Sequence, residues 1–510
     1  MKKLLSIVLC ILMVMTTLLV SCGREEPEES KQESSVSADG ESSEVTGEPD
    51  ESSEASQENP YMDEEGKYVK KNMLDFNDDW RDYGEFRVLV YNKNKQDTYF
   101  SEEIEAPYDT TDAKLKDSVD TRNKWIEETY GIKIKAVAVD DVTEAFNKEL
   151  QAELNSFDVA MPFMSACATL AKDGKLLDLR EFSDYIDLDA PWWDQNATNS
   201  LSINDRVFFT TGDISIMQRI VSGGIAFNRD LMEASFAGVD MYELVDTGKW
   251  TLDKMYSMCK EFTRQGDDNE KMDENDIWGC MGGGIGYYFA AGETLTSKDN
   301  MDIPKMYIGT NDRSFTVAQK VLELLDEKGT WYVTVNEFTD QTNKWAKTVE
   351  IFGTDKALFM TFAFSAIKKF RAYPVKFGIV PYPKFNEDQD DYFINCAANY
   401  AYGICIPSFS PDPEFCAYMI ELLAIGGKNH ITNAYYTSIL KSKDLATDDD
   451  ERMLDLIFSN IVYDVATVYG FSGLNQVFEK TTHSNLKSYL DEITPSVVSA
   501  IDGIVEAYQD

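Results

Sequence analysis

The chain has 510 residues, and its 90 acidic side chains outnumber 48 lysines and arginines, which gives a net charge of −42 at pH 7. So acidic a protein repels phosphate backbones, and no basic cluster interrupts the sequence, so nucleic acid is excluded as a partner. The length exceeds what one hydrophobic core supports, so two or three domains are expected. The acidity is compatible with a neutral ligand.

The N-terminus has the layout of a secretory signal peptide. Lys2 and Lys3 precede a segment that is almost wholly apolar from residue 4 to residue 20. The next residues, Ser21-Cys22-Gly23, resemble the lipobox of bacterial lipoproteins, in which the peptide before the cysteine is removed and the cysteine thiol carries a lipid. The alternative is a retained transmembrane anchor, because the apolar segment is at the lower limit of a spanning helix. The lipobox predicts removal of residues 1–21.

An acidic, serine-rich segment follows Cys22. Residues 23–59 contain 13 acidic side chains, two basic ones and no aromatic one, a net charge of −11. Such a segment buries too little apolar surface to offset chain entropy, and its like charges extend it. We therefore predict that residues 22–66 form a lipidated cysteine and a disordered tether. The tether would hold a folded body at the extracellular face of the cell membrane.

The first folded stretch alternates predicted strands and helices. Strands are predicted over Phe86–Tyr91, Ile132–Val139 and Phe157–Met161, where apolar residues alternate or cluster. Helical spacing of apolar residues predicts a helix between Asp112 and Gly131 and another over Val142–Leu154. This β-α-β-α-β order predicts a parallel, helix-covered sheet and an α/β fold.

The end of the third predicted strand is a candidate binding edge. In open parallel sheets, ligands bind outside the carboxyl ends of the strands. Phe163, Met164 and Ser165 follow the strand directly, after Pro162. The alternative is that these residues form a plain connection between a strand and a helix.

Cysteine and histidine usage gives no sign of a cofactor or a metal. The cysteines beyond Cys22 have irregular spacing and apolar neighbours, which favours buried thiols over disulfides, although an exported protein could form bridges. They are Cys167, Cys259, Cys280, Cys396, Cys405 and Cys416. Only two histidines occur, so a zinc site is not expected. The acidic loop 267–276 has Lys271 and Met272 where a calcium loop needs an oxygen ligand and glycine, so calcium is not expected either.

Several motifs along the chain resemble the family 1 extracellular solute-binding proteins, the lipoprotein receptors of ABC importers, many of them for carbohydrates. The motifs occur in the order expected for that family. They are Ala171-Lys172-Asp173-Gly174-Lys175-Leu176-Leu177-Asp178-Leu179, Pro191-Trp192-Trp193-Asp194, Gly212-Asp213-Ile214-Ser215, Ile225-Ala226-Phe227-Asn228-Arg229, Gly248-Lys249-Trp250-Thr251-Leu252, Lys356-Ala357-Leu358-Phe359, Gly378-Ile379-Val380-Pro381-Tyr382-Pro383-Lys384 and Pro413-Glu414-Phe415-Cys416-Ala417.

The resemblance implies a two-lobed, periplasmic-binding-protein-like α/β fold of type II with a hinge between the lobes. We place the first crossing between lobes at Val221–Asn228 and the return at Cys396–Pro407. Lobe 1 is then predicted as residues 67–224 plus 396–440, and lobe 2 as residues 225–395 plus 441–510.

Candidate ligand-binding residues are aromatic side chains and small polar groups near strand ends, a glycine loop or the presumed crossings. Flat aromatic faces suit the apolar faces of sugar rings, and polar groups bind hydroxyls. The alternative for each large aromatic residue is packing in the core, which we favour for Trp192 and Trp193. The candidates are Phe163, Met164, Ser165, Asp213, Ser215, Tyr287, Tyr288, Phe362, Phe364, Asn399 and Tyr400.

The sequence contains no recognisable catalytic frame, so we do not expect an enzyme. The resemblance implies a monomeric, lipid-anchored receptor that delivers a small-molecule solute, favoured to be an oligosaccharide, to an ABC permease in the membrane. The first alternative is the same receptor for another solute, such as a peptide. The second is an exported glycan-degrading enzyme, which needs only two carboxylates. An anchored adhesion or assembly protein is a third class.

Overall fold

The computed structural model describes residues 59–71, 74–94, 98–266, 272–282, 284–333, 344–440 and 447–509. The predicted signal peptide, Cys22 and the predicted tether up to residue 58 lie outside the described residues. Within these ranges, no helix combines the length and the apolar character needed to cross a bilayer.

Strands and helices alternate along the described chain. The strands are β1 (Glu85–Tyr91), β2 (Lys133–Val139), β3 (Val159–Ala160), β4 (Gly223–Asn228), β5 (Trp278–Met281), β6 (Thr296–Lys298), β7 (Pro304–Met306), β8 (Tyr332–Val333), β9 (Ala357–Ala363), β10 (Phe377–Val380), β11 (Ile394–Asn395) and β12 (Ile461–Val462).

The helices of the first half, up to the end of β8, are α1 (Ala113–Tyr130), α2 (Val142–Ala152), α3 (Met164–Lys172), α4 (Gln195–Leu201), α5 (Met217–Val221), α6 (Arg229–Ser235), α7 (Met241–Asp246), α8 (Leu252–Phe262), α9 (Gly286–Ala290) and α10 (Asp312–Asp326). Those that follow are α11 (Lys344–Gly353), α12 (Ile367–Phe370), α13 (Pro413–Gly426), α14 (Thr432–Leu440), α15 (Asp448–Ser459), α16 (Val465–Tyr469), α17 (Val477–Lys480) and α18 (Leu486–Ala507).

The first sheet confirms the predicted β-α-β-α-β order. Its strands lie in the order β2-β1-β3, and β1 is parallel to both neighbours. Helix α1 begins and ends where the sequence predicts. The Asp112 side chain accepts a hydrogen bond from the backbone of Leu115, and Gly131 adopts a left-handed conformation with φ of 77° at the helix end.

A segment from late in the chain widens the first sheet. Isolated bridges join Ala160 to Cys405 and Phe163 to Tyr402, and a further bridge joins Ile404 to Thr210. The segment therefore lies between β3 and the stretch that ends at Thr210, within the return that the sequence places at Cys396–Pro407.

The second sheet has the strand order β10-β4-β9-β5-β8, and β4 is antiparallel to both of its neighbours. Strand β4 lies within the predicted first crossing. Gly223 is required there, because a Cβ atom at this position would lie 2.1 Å from the carbonyl oxygen of Phe362. Two helix-covered sheets joined by crossings confirm the predicted two-lobed α/β class. The residue boundaries of the lobes stay a prediction.

The C-terminal helices contact both halves of the molecule. Helix α15 lies beside β10 of the second sheet, whereas α16 lies beside α3 of the first. At the end of α18, the buried ring of Tyr508 packs against Phe208, with centroids 4.6 Å apart. These contacts join the two lobes in addition to the crossings.

All six cysteines beyond Cys22 are buried, and none forms a disulfide. Buried free thiols are the arrangement that the sequence favours over disulfide bridges. Burial raises the pKa of the thiols of Cys167, Cys259, Cys396 and Cys416, and it raises that of Cys280 to about 12. These thiols therefore behave as small apolar side chains at neutral pH.

The sequence assigns residues 59–66 to the tether, but in the structure this segment packs on the surface of the folded body. The ring of Tyr61 packs edge-on against Trp192, with centroids 5.4 Å apart, and its hydroxyl donates to Asp187 at 3.0 Å. Met62 bridges to Tyr68. Ordered contacts therefore begin inside the segment assigned to the tether.

Candidate functional site

Five aromatic rings meet at the carboxyl-terminal edge of the first sheet, and we call this group the aromatic edge. It consists of Tyr91, Tyr99, Phe163, Tyr400 and Tyr402. Tyr91 ends β1 and Phe163 precedes α3, whereas the last two rings lie in the return segment. The parallel order of the strands brings their ends together at this edge.

The rings form two stacks that meet nearly at right angles. Phe163 stacks on Tyr91 at 4.2 Å between centroids and 16° between planes, and Tyr400 stacks on Tyr99 at 4.4 Å and 22°. Phe163 and Tyr400 lie 5.8 Å apart with 82° between their planes. The Tyr402 hydroxyl donates to the carbonyl of Tyr99 at 2.8 Å, which fixes the loop that carries Tyr99.

Burial divides the aromatic edge into a base and an exposed part. Tyr91 and Tyr402 are buried, Phe163 and Tyr99 are half-buried, and Tyr400 is 42 % exposed. Burial raises the pKa of Tyr91 to about 12, so its hydroxyl is neutral at physiological pH. Tyr400 is therefore the most accessible ring of the aromatic edge.

Polar groups accompany the rings at this edge. Ser165 is half-buried in the first turn of α3, and Asn399 is exposed beside Tyr400. Met164 is buried, and its backbone N–H donates to the carbonyl of Ala401 at 2.8 Å, which joins α3 to the return segment. Aromatic faces with neutral donors and acceptors can hold a ring-shaped, hydroxylated molecule.

Asp213 and Ser215 lie in a buried polar network of the protein itself. The Asp213 carboxylate pairs with Arg219 at 2.9 Å and Lys428 at 3.2 Å, and accepts from the Thr432 hydroxyl at 2.6 Å. The Ser215 hydroxyl donates to Glu103 at 2.9 Å. Burial raises the pKa of Glu103, and hydrogen bonds from Ser215 and other donors oppose that rise. Ligand contact by Asp213 and Ser215 stays a prediction.

Four predicted aromatic residues lie in the core around the second sheet. Tyr287, Tyr288, Phe362 and Phe364 are each at most 6 % exposed. The Tyr288 hydroxyl donates to the carbonyl of Thr294 at 3.2 Å, and Phe364 packs against Phe362 at 5.3 Å between centroids. The structure thus brings Phe163, Met164, Ser165, Asn399 and Tyr400 together and places these four apart from them, among packed side chains.

Tyr91 and Tyr99 are not among the residues that the sequence predicts for the site. Tyr91 ends a strand next to the one that precedes Phe163, so the predicted parallel order could have identified it. Tyr99 lies in an irregular loop, and no periodicity or motif marks it.

Within the described ranges, no group of three or more histidine, cysteine, aspartate or glutamate side chains is arranged to hold a metal ion. Residues 267–271 of the acidic loop lie outside those ranges. Asp276, at the end of that loop, is buried and accepts a hydrogen bond from the backbone of Gly266 at 2.7 Å.

Comparison with known proteins gives a family match and structural neighbours. No curated protein sequence matches the chain. A cyclo/maltodextrin-binding protein, solved with maltotetraose, has a TM-score of 0.50 and 13 % identity, and the alignment covers 84 % of this chain and 97 % of that one. An ABC substrate-binding protein of Listeria monocytogenes, solved with cycloalternan, has a TM-score of 0.47 and 13 % identity, and the alignment covers 83 % of this chain and 99 % of that one.

At such low identity, the first of these neighbours supports the two-lobed fold and nothing more. The family match is independent of it. The model of the family described as bacterial extracellular solute-binding protein matches residues 105–421, which is more than half of the chain and includes most of the aromatic edge. The chain therefore belongs to the bacterial extracellular solute-binding proteins.

Proposed function

We propose that this solute-binding protein is a lipid-anchored receptor at the extracellular face of the cell membrane. It binds a neutral oligosaccharide and delivers it to an ABC permease, and it acts as a monomer without chemical turnover. The observation that carries the choice of solute is the aromatic edge, with two stacked pairs at right angles and the partly exposed ring of Tyr400.

The chemistry of the aromatic edge favours a sugar over a peptide or a charged solute. A sugar ring has apolar C–H faces that pack on aromatic rings, and its hydroxyls both donate and accept hydrogen bonds. Ser165 and Asn399 are neutral, and the chain as a whole carries a charge of −42, which disfavours anionic solutes. The fold neighbour solved with maltotetraose is in keeping with this proposal.

Anchoring is proposed from the sequence alone. Cys22 lies in a lipobox-like tripeptide, and the acidic segment after it is long enough to separate the body from the membrane. A lipid on Cys22 would keep the receptor near its permease, which raises the effective concentration of each for the other.

The test is calorimetric titration of the purified full-length protein with a panel of neutral oligosaccharides, maltotetraose among them, and with peptides of similar length. We expect saturable binding of at least one oligosaccharide and recovery of that sugar unchanged after prolonged incubation. Binding of a peptide alone would replace the proposed solute. Release of shorter sugars would identify a glycan-degrading enzyme instead.

A further inference from the structure

Two of the buried thiols are neighbours between α3 and the return segment, residues 396–407. They belong to Cys167, in α3, and to Cys405, in the return segment, and both residues are fully buried. The site described above uses neither thiol. The elements that carry the thiols also carry its rings, since Phe163 directly precedes α3 and Tyr402 lies in the return segment.

The side chain of Cys405 points toward α3. A Cβ atom at Gly403 would lie 2.8 Å from the sulfur atom of Cys167, so this face of the return segment is turned toward that thiol. Backbone hydrogen bonds in both directions between Cys405 and Ala160, at 3.0 and 3.1 Å, keep the segment extended. Side chains two positions apart in an extended chain point to the same face. Cys405 therefore lies on the face that Cys167 covers.

The two sulfur atoms share one small group of backbone carbonyls. The sulfur of Cys167 lies 3.6 Å from the carbonyl oxygen of Pro162 and 3.5 Å from that of Gly403. The sulfur of Cys405 lies 3.5 Å from the carbonyl oxygen of Ala160. Burial raises the pKa of Cys167, and the neighbouring Cys405 thiol raises it further. Both thiols are therefore neutral in the folded protein, and they lie close enough to affect each other.

Two other buried thiols have hydroxyl groups as partners. The Cys280 sulfur lies 3.8 Å from the hydroxyl of Tyr287, and the Cys416 sulfur lies 3.3 Å from that of Ser410. Each of these contacts joins a thiol to a group that cannot form a disulfide. Cys280 and Cys416 are therefore suitable controls for the pair in α3 and the return segment.

The compartment and the chemistry both allow a bond between the paired thiols. The chain belongs to an extracellular family, and disulfides persist outside the cell. Formation of the bond removes two protons and two electrons from the two thiols. A disulfide oxidant, such as oxidised glutathione, accepts the electrons and leaves as two thiols, by way of a mixed disulfide. Because the thiols are buried and neutral, this exchange takes place during folding or local opening.

We propose that Cys167 and Cys405 are the site of a reversible disulfide that ties α3 to the return segment. The structure shows the reduced form of this site. The proposal goes beyond the proposed function, because it concerns the redox state of the protein and not its solute. Oxidation would join the two elements covalently beneath the aromatic edge, whereas in the reduced form only noncovalent contacts hold them together.

The first experiment refolds the purified full-length protein from urea in a buffer with an excess of oxidised over reduced glutathione. Free thiols are then blocked, and linked peptides are mapped by mass spectrometry. We expect a linked pair of peptides that contains Cys167 and Cys405, and two fewer free thiols than in protein refolded with reduced glutathione alone. Cys167→Ala and Cys405→Ala should each abolish this pair, whereas the control variants Cys280→Ala and Cys416→Ala should retain it.

A wild type that keeps all its thiols in the oxidising buffer would overturn the proposal. So would linked peptides that leave out Cys167 or Cys405, such as a pair formed by Cys259 and Cys280. Mapping of the wild type needs no substitution, so the test holds even where a variant folds poorly.

A second experiment measures what the bond does. In the oxidised wild type we expect slower hydrogen exchange in α3 and in residues 396–407, and a higher melting temperature, because the bond closes a long loop of the unfolded chain. Dithiothreitol should reverse both effects, and Cys405→Ala should show neither. Equal exchange and equal melting in the two redox states, in protein that mapping shows to carry the bond, would contradict a tie between α3 and the return segment.

Discussion

Aromatic residues that look equivalent in the sequence differ in solvent exposure in the structure. Phe362 and Tyr400 both follow predicted strands or crossings, yet Phe362 is 6 % exposed and Tyr400 is 42 % exposed. A buried ring stabilises the fold through the apolar area that it removes from water, whereas the partly exposed ring of Tyr400 still has surface in contact with water. The two residues therefore form a matched pair for mutation.

Tyr400→Ala should weaken oligosaccharide binding by roughly 1–3 kcal/mol, because it removes one aromatic face from the proposed site. The free energy of unfolding should change by less than about 1 kcal/mol. Phe362→Ala should instead lower the free energy of unfolding by about 3–5 kcal/mol, the usual cost of emptying a buried aromatic position. Calorimetric titration and urea unfolding of both variants provide the measurements. Equal loss of stability in both, with unchanged binding in Tyr400→Ala, would contradict the assignment.

Glu421 is a buried carboxyl group whose protonation changes within the neutral range. Burial raises its pKa from 4.5 to about 8, and the hydrogen bond donated by the Trp193 indole at 2.8 Å opposes part of that rise. The folded state therefore binds a proton that the unfolded state releases at lower pH. This raised pKa contributes stability below the unfolded value, and the contribution is lost as pH rises toward about 8.

Replacing Glu421 with glutamine should remove this pH dependence, because the amide keeps an oxygen for the Trp193 indole and does not titrate. Relative to Glu421→Gln, the wild type should lose stability on the order of 2–5 kcal/mol between about pH 5 and about pH 9. Urea unfolding of both proteins at the two pH values measures the difference, and the other titrating groups cancel in the comparison. A constant difference across pH would show that the carboxyl group keeps an ordinary pKa.

At the scale of elements, the β6–β7 hairpin contacts the end of α4, across the boundary that the sequence predicts between the lobes, through Lys298 and Asp302. The hairpin lies between α9 and α10, and its Lys298 ammonium donates to the carbonyl of Asn199 at 2.7 Å and to the hydroxyl of Ser202 at 3.0 Å, both at the end of α4. It also pairs with Asp302 at 2.8 Å, whose carbonyl accepts from the backbone of Asn204 at 3.1 Å. Burial lowers the pKa of Lys298, and the pair with Asp302 opposes that shift.

Lys298→Met should loosen this interlobe contact, because the methionine side chain fills the same space but donates no hydrogen bond to the α4 carbonyls. We expect faster hydrogen exchange in both the hairpin and residues 199–206, and a larger radius of gyration of the unliganded protein by small-angle scattering. Lys305→Met is the matched control, since Lys305 pairs only within the hairpin, with Asp299 at 2.8 Å. The same effect in both variants would mean that the hairpin does not join the lobes in solution.

Elements with local signals were predictable, and pairings between distant segments were not. The caps at Asp112 and Gly131 and the alternation in β1 are encoded within a few residues of each element. The bridge between Ala160 and Cys405 joins positions 245 residues apart, and nothing near either residue predicts the partner. The sequence therefore identifies Phe163 and Tyr400 as candidates separately, but their 82° contact depends on the whole lobe.

At the scale of the whole molecule, the negative charge bears on the proposed anchoring. The body and the tether are both acidic, and an anionic membrane surface repels them, so a lipid on Cys22 would be needed to hold the protein there. Because Tyr61 packs on Trp192, the tether that the sequence predicts would end before about position 59. The reach of the receptor would then be set by residues 23–58.

Cys22→Ala should release the protein from the membrane or leave its signal peptide uncleaved, because no thiol remains at the lipobox position to carry a lipid. Metabolic labelling with a fatty acid, followed by membrane fractionation, provides the measurement, and Cys167→Ala is the control because that thiol is buried in the body. Brief proteolysis of the membrane-bound wild type should cut within residues 23–58 and release a body that begins near Tyr61 and still binds its solute. Fatty-acid labelling that persists in Cys22→Ala, or cleavage that spares the acidic segment, would contradict the tethered arrangement.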